Sequence, residues 1–221
     1  GTAYRTASER SARAILLCSA GKHFCAGADF GTLPAGQSIS STGAALYEKA
    51  VQLFAVEIPV IAAVQGAAVG GGLGLACSAD FRVGSTTTRF WANFASLGLH
   101  QGFGLSTTLP SLIGLQRAAE MLYTGRQVKG LEAAELGLLD RVVDQPSDVR
   151  NAAIELAREI SQSAPLAVRA IRNTLRGDIV ERVVAATQLE NAAQVHLDCT
   201  DDHREGVAAM QERRPPRFRA S

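Results

Sequence analysis

Residues 58–72 read Ile58-Pro-Val-Ile-Ala-Ala-Val-Gln-Gly-Ala-Ala-Val-Gly-Gly-Gly72. The first half of this stretch, Val60 to Val64, is an unbroken apolar run entered through Pro59, the signature of a strand buried on both faces. Its second half crowds glycine and alanine ahead of an apolar small-residue segment, Leu73 to Ser78, expected to be helical. A strand that turns through glycines into a helix presents backbone N–H groups, and small residues let a ligand oxygen reach them. The run from Ile58 to Leu75 is interrupted by Pro59, Gln65 and its glycines, so it falls short of the roughly 20 apolar residues needed to span a bilayer.

Working outward, Ala14 to Cys18 reads as another short buried strand, feeding the loop His23-Phe-Cys-Ala-Gly-Ala-Asp29. Cys25-Ala-Gly-Ala-Asp29 repeats the logic of Ala68-Val-Gly-Gly-Gly72, with a strand end followed by small residues. Two backbone donors aimed at one point form an oxyanion hole; the alternative is that these glycines only permit tight helix–strand packing. Residues 31–43 form a Gly-, Pro- and Ser-containing loop long enough to be a lid, followed by helical spacing across 44–56. Asp80 to Val83 reads as a third strand and Arg141 to Val143 as a further short one. Helical periodicity covers Thr107–Ile113, Gln116–Tyr123, Leu131–Leu136, Val149–Ser161, Pro165–Leu175, Ile179–Val195 and Asp202–Arg213. The expected architecture is an α/β core over residues 1–145 and a helical region over 146–221.

Of 221 residues, 47% are apolar and 19% charged, which excludes disorder as the main state. The formal charge of +1 and only three lysines give no electrostatic case for nucleic acid or an anionic membrane. No secretory signal is legible at the N-terminus, and the four widely spaced cysteines form no C-x-x-C, so reduced thiols in a cytoplasmic protein are expected. No His/Cys cluster has metal-ligand spacing. Gly72-Leu-Gly74-Leu-Ala-Cys77 fails the dinucleotide fingerprint, and Phe94 stands where that fingerprint needs an acid.

Taken together, Gly21-Lys-His-Phe-Cys-Ala-Gly-Ala-Asp29, Ile58 to Gly72, Ala79-Asp-Phe-Arg82, Leu122-Tyr-Thr-Gly125, Ala133-Ala-Glu-Leu-Gly-Leu138, Ala164-Pro-Leu-Ala167 and Glu205-Gly-Val-Ala-Ala-Met210 resemble the crotonase, or enoyl-CoA hydratase/isomerase, superfamily. The motifs occur in the family order over nearly the whole chain. The resemblance implies a spiral of ββα turns with a helical C-terminal trimerisation region, homotrimers or dimers of trimers, and an acyl-CoA substrate. It implies further strands ahead of residue 1 and no cofactor beyond the coenzyme A moiety of the substrate. It places the oxyanion N–H groups at Ala28 and Gly71, with Gly72 beside them, and the adenine end of CoA along Ala26 to Asp29. Lys22, Arg213, Arg214 and Arg217 are phosphate contacts by type and position, or else a solvated basic surface.

The departures from the family bear on the reaction. The two glutamates that activate water in its hydratases correspond to Gly74 and Phe94, and the acid of its dienoyl isomerase and dehalogenase branches corresponds to Gly102. Asn93 and Gln101 can orient groups but cannot accept a proton at neutral pH. His100 has a suitable unperturbed pKa and is the candidate acid/base, weighed against a structural histidine at a helix entry. His23, beside the oxyanion loop, reads as a surface or turn residue, His196 and His203 on C-terminal helices have no readable acid–base partner, and Asp29 and Asp80 read as structural. The leading expectation is enolate chemistry in an oxyanion hole without the two-glutamate mechanism. The alternatives are decarboxylation of a carboxylated acyl thioester, for which Asn93-Phe94 resembles the polyketide-associated branch although residues 30–48 hold no lysine, and a non-catalytic CoA-binding or RNA-binding member.

Overall fold

The computed structural model describes residues 4, 6–7, 11–28 and 49–221. Four parallel strands, β1 (Ile15–Leu17), β2 (Val60–Val64), β4 (Phe81–Ser85) and β7 (Arg141–Val143), form a sheet in the order β1-β2-β4-β7. A second sheet orders β3 (Ala67–Val69), β5 (Arg89–Trp91) and β6 (Gln127–Lys129), with β5 and β6 antiparallel. Helix α1 (Gly71–Ser78) follows β3 directly. The later helices are α2 (Leu105–Ile113), α3 (Leu115–Thr124), α4 (Gly130–Leu136), α5 (Val149–Ser161), α6 (Pro165–Arg176), α7 (Ile179–Leu197) and α8 (Asp201–Glu212).

The continuous apolar sequence of β2 follows from its position. Alternate side chains of a strand point to opposite faces, and both faces here are covered. Val60, Ala62 and Val64 enter the main core with Leu73, Phe90, Leu105 and Leu109, while Ile61 and Ala63 join Val83 under Val149, Ala153 and Leu156 of α5. Helix α5, from beyond residue 145, thus closes the second face of the sheet. Strands β3, β5 and β6 are not evident from the sequence, since each is three residues long and too short for an alternation to register. Observed β4 starts at Phe81, because the main chain and side chain of Asp80 both serve β2: Asp80 N donates to the Val60 carbonyl and Asp80 Oδ2 accepts from Val60 N, each at 2.8 Å. Helix α1 begins at Gly71 rather than Leu73, which puts the glycines inside its first turn.

Asp80 also fastens the C-terminal helices to the core. Arg172 Nε donates to its Oδ2 at 2.9 Å and Arg176 Nη1 to its Oδ1 at 2.8 Å, and all three side chains are largely buried. Removing one partner from a buried pair leaves uncompensated charge. Asp80→Ala is therefore expected to lower the unfolding free energy by roughly 3–5 kcal/mol, measured by urea denaturation; a change within the scatter of surface substitutions would refute this anchoring role. The expected lid at 31–43 and the first five residues of the helix expected over 44–56 lie outside the described residues; of the rest, 49–54 are helical. All four cysteines are free, and no helix among the described residues is long and apolar enough to cross a membrane.

Candidate active site

The turn from β3 into α1 depends on Gly70. Its φ of 54° and ψ of −119° lie where an L side chain is strained, and its N–H donates to the Trp91 carbonyl at 2.9 Å. Leu73 N and Gly74 N fold back onto the Gly70 carbonyl at 3.0 and 3.2 Å. Gly71 and Gly72 open the helix, no side chain caps it, and neither N–H has a partner among the described residues. Such donors, at the positive end of the helix dipole, are ready to receive an anion. A Cβ at Gly72 would collide with the Cys25 carbonyl, so the second loop lies against this turn.

That second loop is aligned by main-chain bonding. Cys25 pairs in parallel with Ala68: Cys25 N donates to the Ala67 carbonyl at 3.1 Å and Val69 N to the Cys25 carbonyl at 3.0 Å. Ala28 and Gly71 both lie three residues beyond this parallel bridge, on segments leaving it in the same direction. Ala26, Gly27 and Ala28 are exposed, as is Lys22. Asp29 lies outside the described residues.

The side chains of Asn93, Phe94 and Phe103 also lie against the turn. A Cβ on Gly70 would lie 3.4 Å from Asn93 Oδ1 and 3.8 Å from the tip of the Phe94 ring, and one on Gly71 only 3.9 Å from the Phe103 ring. On Gly74 it would lie 2.5 Å from Phe103 Cβ, so Phe103 takes the space that a side chain at position 74 would need. Phe103 adopts φ 63°, costly for an aromatic residue. Glu190 of α7 holds the next residues in place: its fully buried carboxylate accepts from Gly104 N and Ser106 N, both at 2.8 Å. Sequence reasoning missed both residues. Phe103 lies between two glycines, a local signal that could have marked it. Glu190 gives none, because the N–H groups that it caps are more than eighty residues away.

His100 Nδ1 lies 2.8 Å from the Gln101 carbonyl, which can only accept, so Nδ1 is the donor of this bond and in the neutral imidazole Nε2 is the acceptor. Its own carbonyl accepts from Gln194 Nε2 at 2.8 Å, while Gln101 Nε2 donates to Ser106 Oγ at 3.0 Å. His100 and Gln101 are thus held by the same α2–α7 framework as Phe103, though neither is among the nearest neighbours of the turn. His23 packs against Gly66 instead, His196 is exposed, and His203 is buried between the Leu97 carbonyl and Asp198. Arg214 pairs with Glu205 and Glu212, and its hydrogen bonds hold the Glu205 carboxyl down at about 2; Arg213 and Arg217 are exposed. Burial pushes the Cys77 thiol up to about 12, so it supplies no thiolate nucleophile near neutral pH. Among the described residues no three His, Cys, Asp or Glu side chains are grouped to hold a metal.

Residues 3–221 match the family model described as enoyl-CoA hydratase/isomerase. The chain belongs to the enoyl-CoA hydratase/isomerase family. It is 33% identical over 204 residues to the short-chain-enoyl-CoA hydratase of Clostridium acetobutylicum, covering 91% of this chain and 78% of that protein. An enoyl-CoA isomerase/hydratase of Mycosarcoma maydis is 34% identical over 212 residues, covering 93% and 76%. The crystal structure of an enoyl-CoA hydratase/isomerase from Pseudoalteromonas atlantica superposes with a TM-score of 0.83 at 28% identity, over 98% of this chain and 88% of that one. The fold is accordingly the crotonase fold of this family. Within that fold, this member has glycine under a phenylalanine at residue 74 and a phenylalanine at residue 94.

Proposed function

We propose that this enoyl-CoA hydratase/isomerase family member binds an acyl-CoA thioester with its carbonyl oxygen between the N–H groups of Ala28 and Gly71, and forms an enolate there without activating water. The carrying observation is the packing of Phe103 over Gly74, which with the Phe94 ring puts apolar carbon against the turn, and the one polar side chain beside them, Asn93, cannot accept a proton at neutral pH. As the pair of electrons moves from a C–H bond toward the thioester, negative charge grows on the carbonyl oxygen. Preorganised N–H donors at the start of α1 stabilise that charge more strongly in apolar surroundings than in water. His100 Nε2 is assigned as the acceptor of the proton and as the donor that returns it to carbon. Ala26, Gly72, Asn93, Phe94 and Gln101 are assigned to substrate contact, Lys22 and Asp29 to the CoA end, and the coenzyme A moiety of the substrate is the one cofactor. The chain is proposed to act as a homotrimer or a dimer of trimers, which the exposed Leu189 and Val195 of α7 support.

The same apolar lining favours a second reading, decarboxylation. A substrate carboxylate placed against Phe94 and Phe103 loses hydration, and breaking its C–C bond releases CO₂ while leaving the electron pair in the same enolate. No base is then needed to create the enolate; a proton is added to carbon afterwards. Incubating the protein with malonyl-type and carboxylated enoyl thioesters and measuring CO₂ separates the readings. The enolate reading without decarboxylation expects none, and release matched to loss of thioester carboxylate would replace it with the second.

A further inference from the structure

At the far end of α1, roughly 12 Å along the helix from the Gly71 N–H, a cavity of about 700 Å³ opens between β4, α2, α5, α6 and the start of α7. Its size is that of a small-molecule site. Its apolar wall is made by Leu112, Ile160, Val168, Ile179 and the exposed Ile171 and Leu175, and α6, which carries three of these, also brings Arg172 and Arg176 into the lining. Asp80 is their shared counter-ion and also accepts from Val60 N, so two guanidinium groups are matched by one carboxylate. Arg172 Nη1 donates to the Val56 carbonyl and Arg176 Nη2 to the Ser78 carbonyl. Arg172 Nη2 and Arg176 Nε remain buried without a hydrogen-bond partner among the described residues, and Arg172 is 7% exposed. Burial pulls the Arg172 guanidinium below its ordinary range, a shift that Asp80 opposes but does not cancel. Of the other charges facing the cavity, Arg182 lies 3.7 Å from Asp178, both being largely exposed.

Buried donors without acceptors and a surplus positive charge are costly, and an anion relieves both costs. A bare inorganic anion would leave the apolar wall unused. We propose that this cavity binds a free amphipathic carboxylate, such as a medium-chain fatty acid, with its carboxylate at Arg172 and Arg176 and its chain along Ile171, Leu175 and Ile179. The site is separate from the proposed thioester hole, so such a ligand binds without displacing an acyl-CoA.

Isothermal titration of the full chain with octanoate, octan-1-ol and inorganic phosphate tests this. Octanoate is expected to saturate at one per chain and to do so equally in the presence of a non-turned-over acyl-CoA, while the alcohol and phosphate give no saturable heat. Arg176→Gln is expected to weaken octanoate binding at least about tenfold. Leu175→Asp, at an exposed position, should weaken it similarly by placing a second negative charge near the bound carboxylate, with circular dichroism showing that the variant is folded. Absence of saturable octanoate binding, equal binding by both variants, an equal response to alcohol or phosphate, or competition with the acyl-CoA would each overturn the proposal. Competition alone would move octanoate to the thioester site and leave the reading of that site standing.

Discussion

Gly71→Pro is expected to lower enolate formation about 10²- to 10³-fold, the usual cost of deleting one oxyanion-hole donor, while Gly71→Ala stays close to the parent. Proline is accepted at the first position of a helix, where its missing N–H breaks no helical bond, so the substitution removes the donor and keeps α1. The alanine control is sterically mild because the nearest atom to its Cβ is a Phe103 ring carbon at 3.9 Å. Exchange of substrate carbon-bound hydrogen with deuterated solvent gives the rate, and circular dichroism confirms that both variants remain folded. Equal exchange rates in Gly71→Pro and the parent would remove Gly71 from the hole.

The second large effect concerns Gly74. Replacing it with glutamate, the residue type that the family's hydratases resemble one another in carrying there, is expected to unfold the protein rather than to create a hydratase. The new Cβ would lie 2.5 Å from Phe103 Cβ and 2.8 Å from its ring. Phe103 cannot retreat freely, since Glu190 fixes the main chain just beyond it through Gly104 and Ser106. Overpacking costs roughly 1–3 kcal/mol, and an unpaired buried carboxylate adds several more, a large share of the total stability of about 5–15 kcal/mol. Gly74→Ala isolates the steric part. Its destabilisation, followed by urea denaturation, should be relieved when Phe103 is also replaced by alanine, so that the two changes are not additive. Full stability of Gly74→Glu, or strict additivity of the alanine pair, would show that Phe103 does not fill this space.

The parts of the structure legible in the sequence are those that carry their signal locally. Val60–Val64 and Val149–Ser161 are observed over the residues expected for them, one from a continuous apolar run and the other from helical spacing across one face. Gly70 to Gly72 signalled a turn with open donors, although α1 begins two residues earlier than expected because glycine gives no apolar periodicity to mark a helix start. The second sheet was not legible: in Gln127–Lys129 a single buried Val128 stands between two exposed residues, and three residues cannot display a period. Phe103 over Gly74 and Glu190 under Gly104 were missed for a different reason. Each is a contact between elements distant in sequence, and nothing local distinguishes Glu190 from the solvent-facing acids of a helix.

The hole is proposed to form an enolate while the Phe94 and Phe103 rings leave water unactivated. Mass spectrometry of crotonyl-CoA incubated with the protein in D₂O, beside a hydratase of the family as a positive control, tests it most directly. The expected product is an acyl group heavier by deuterium at carbon with no oxygen gained, and Gly71→Pro is expected to lose that exchange. Addition of a whole D₂O at a rate comparable to the control would contradict the proposal.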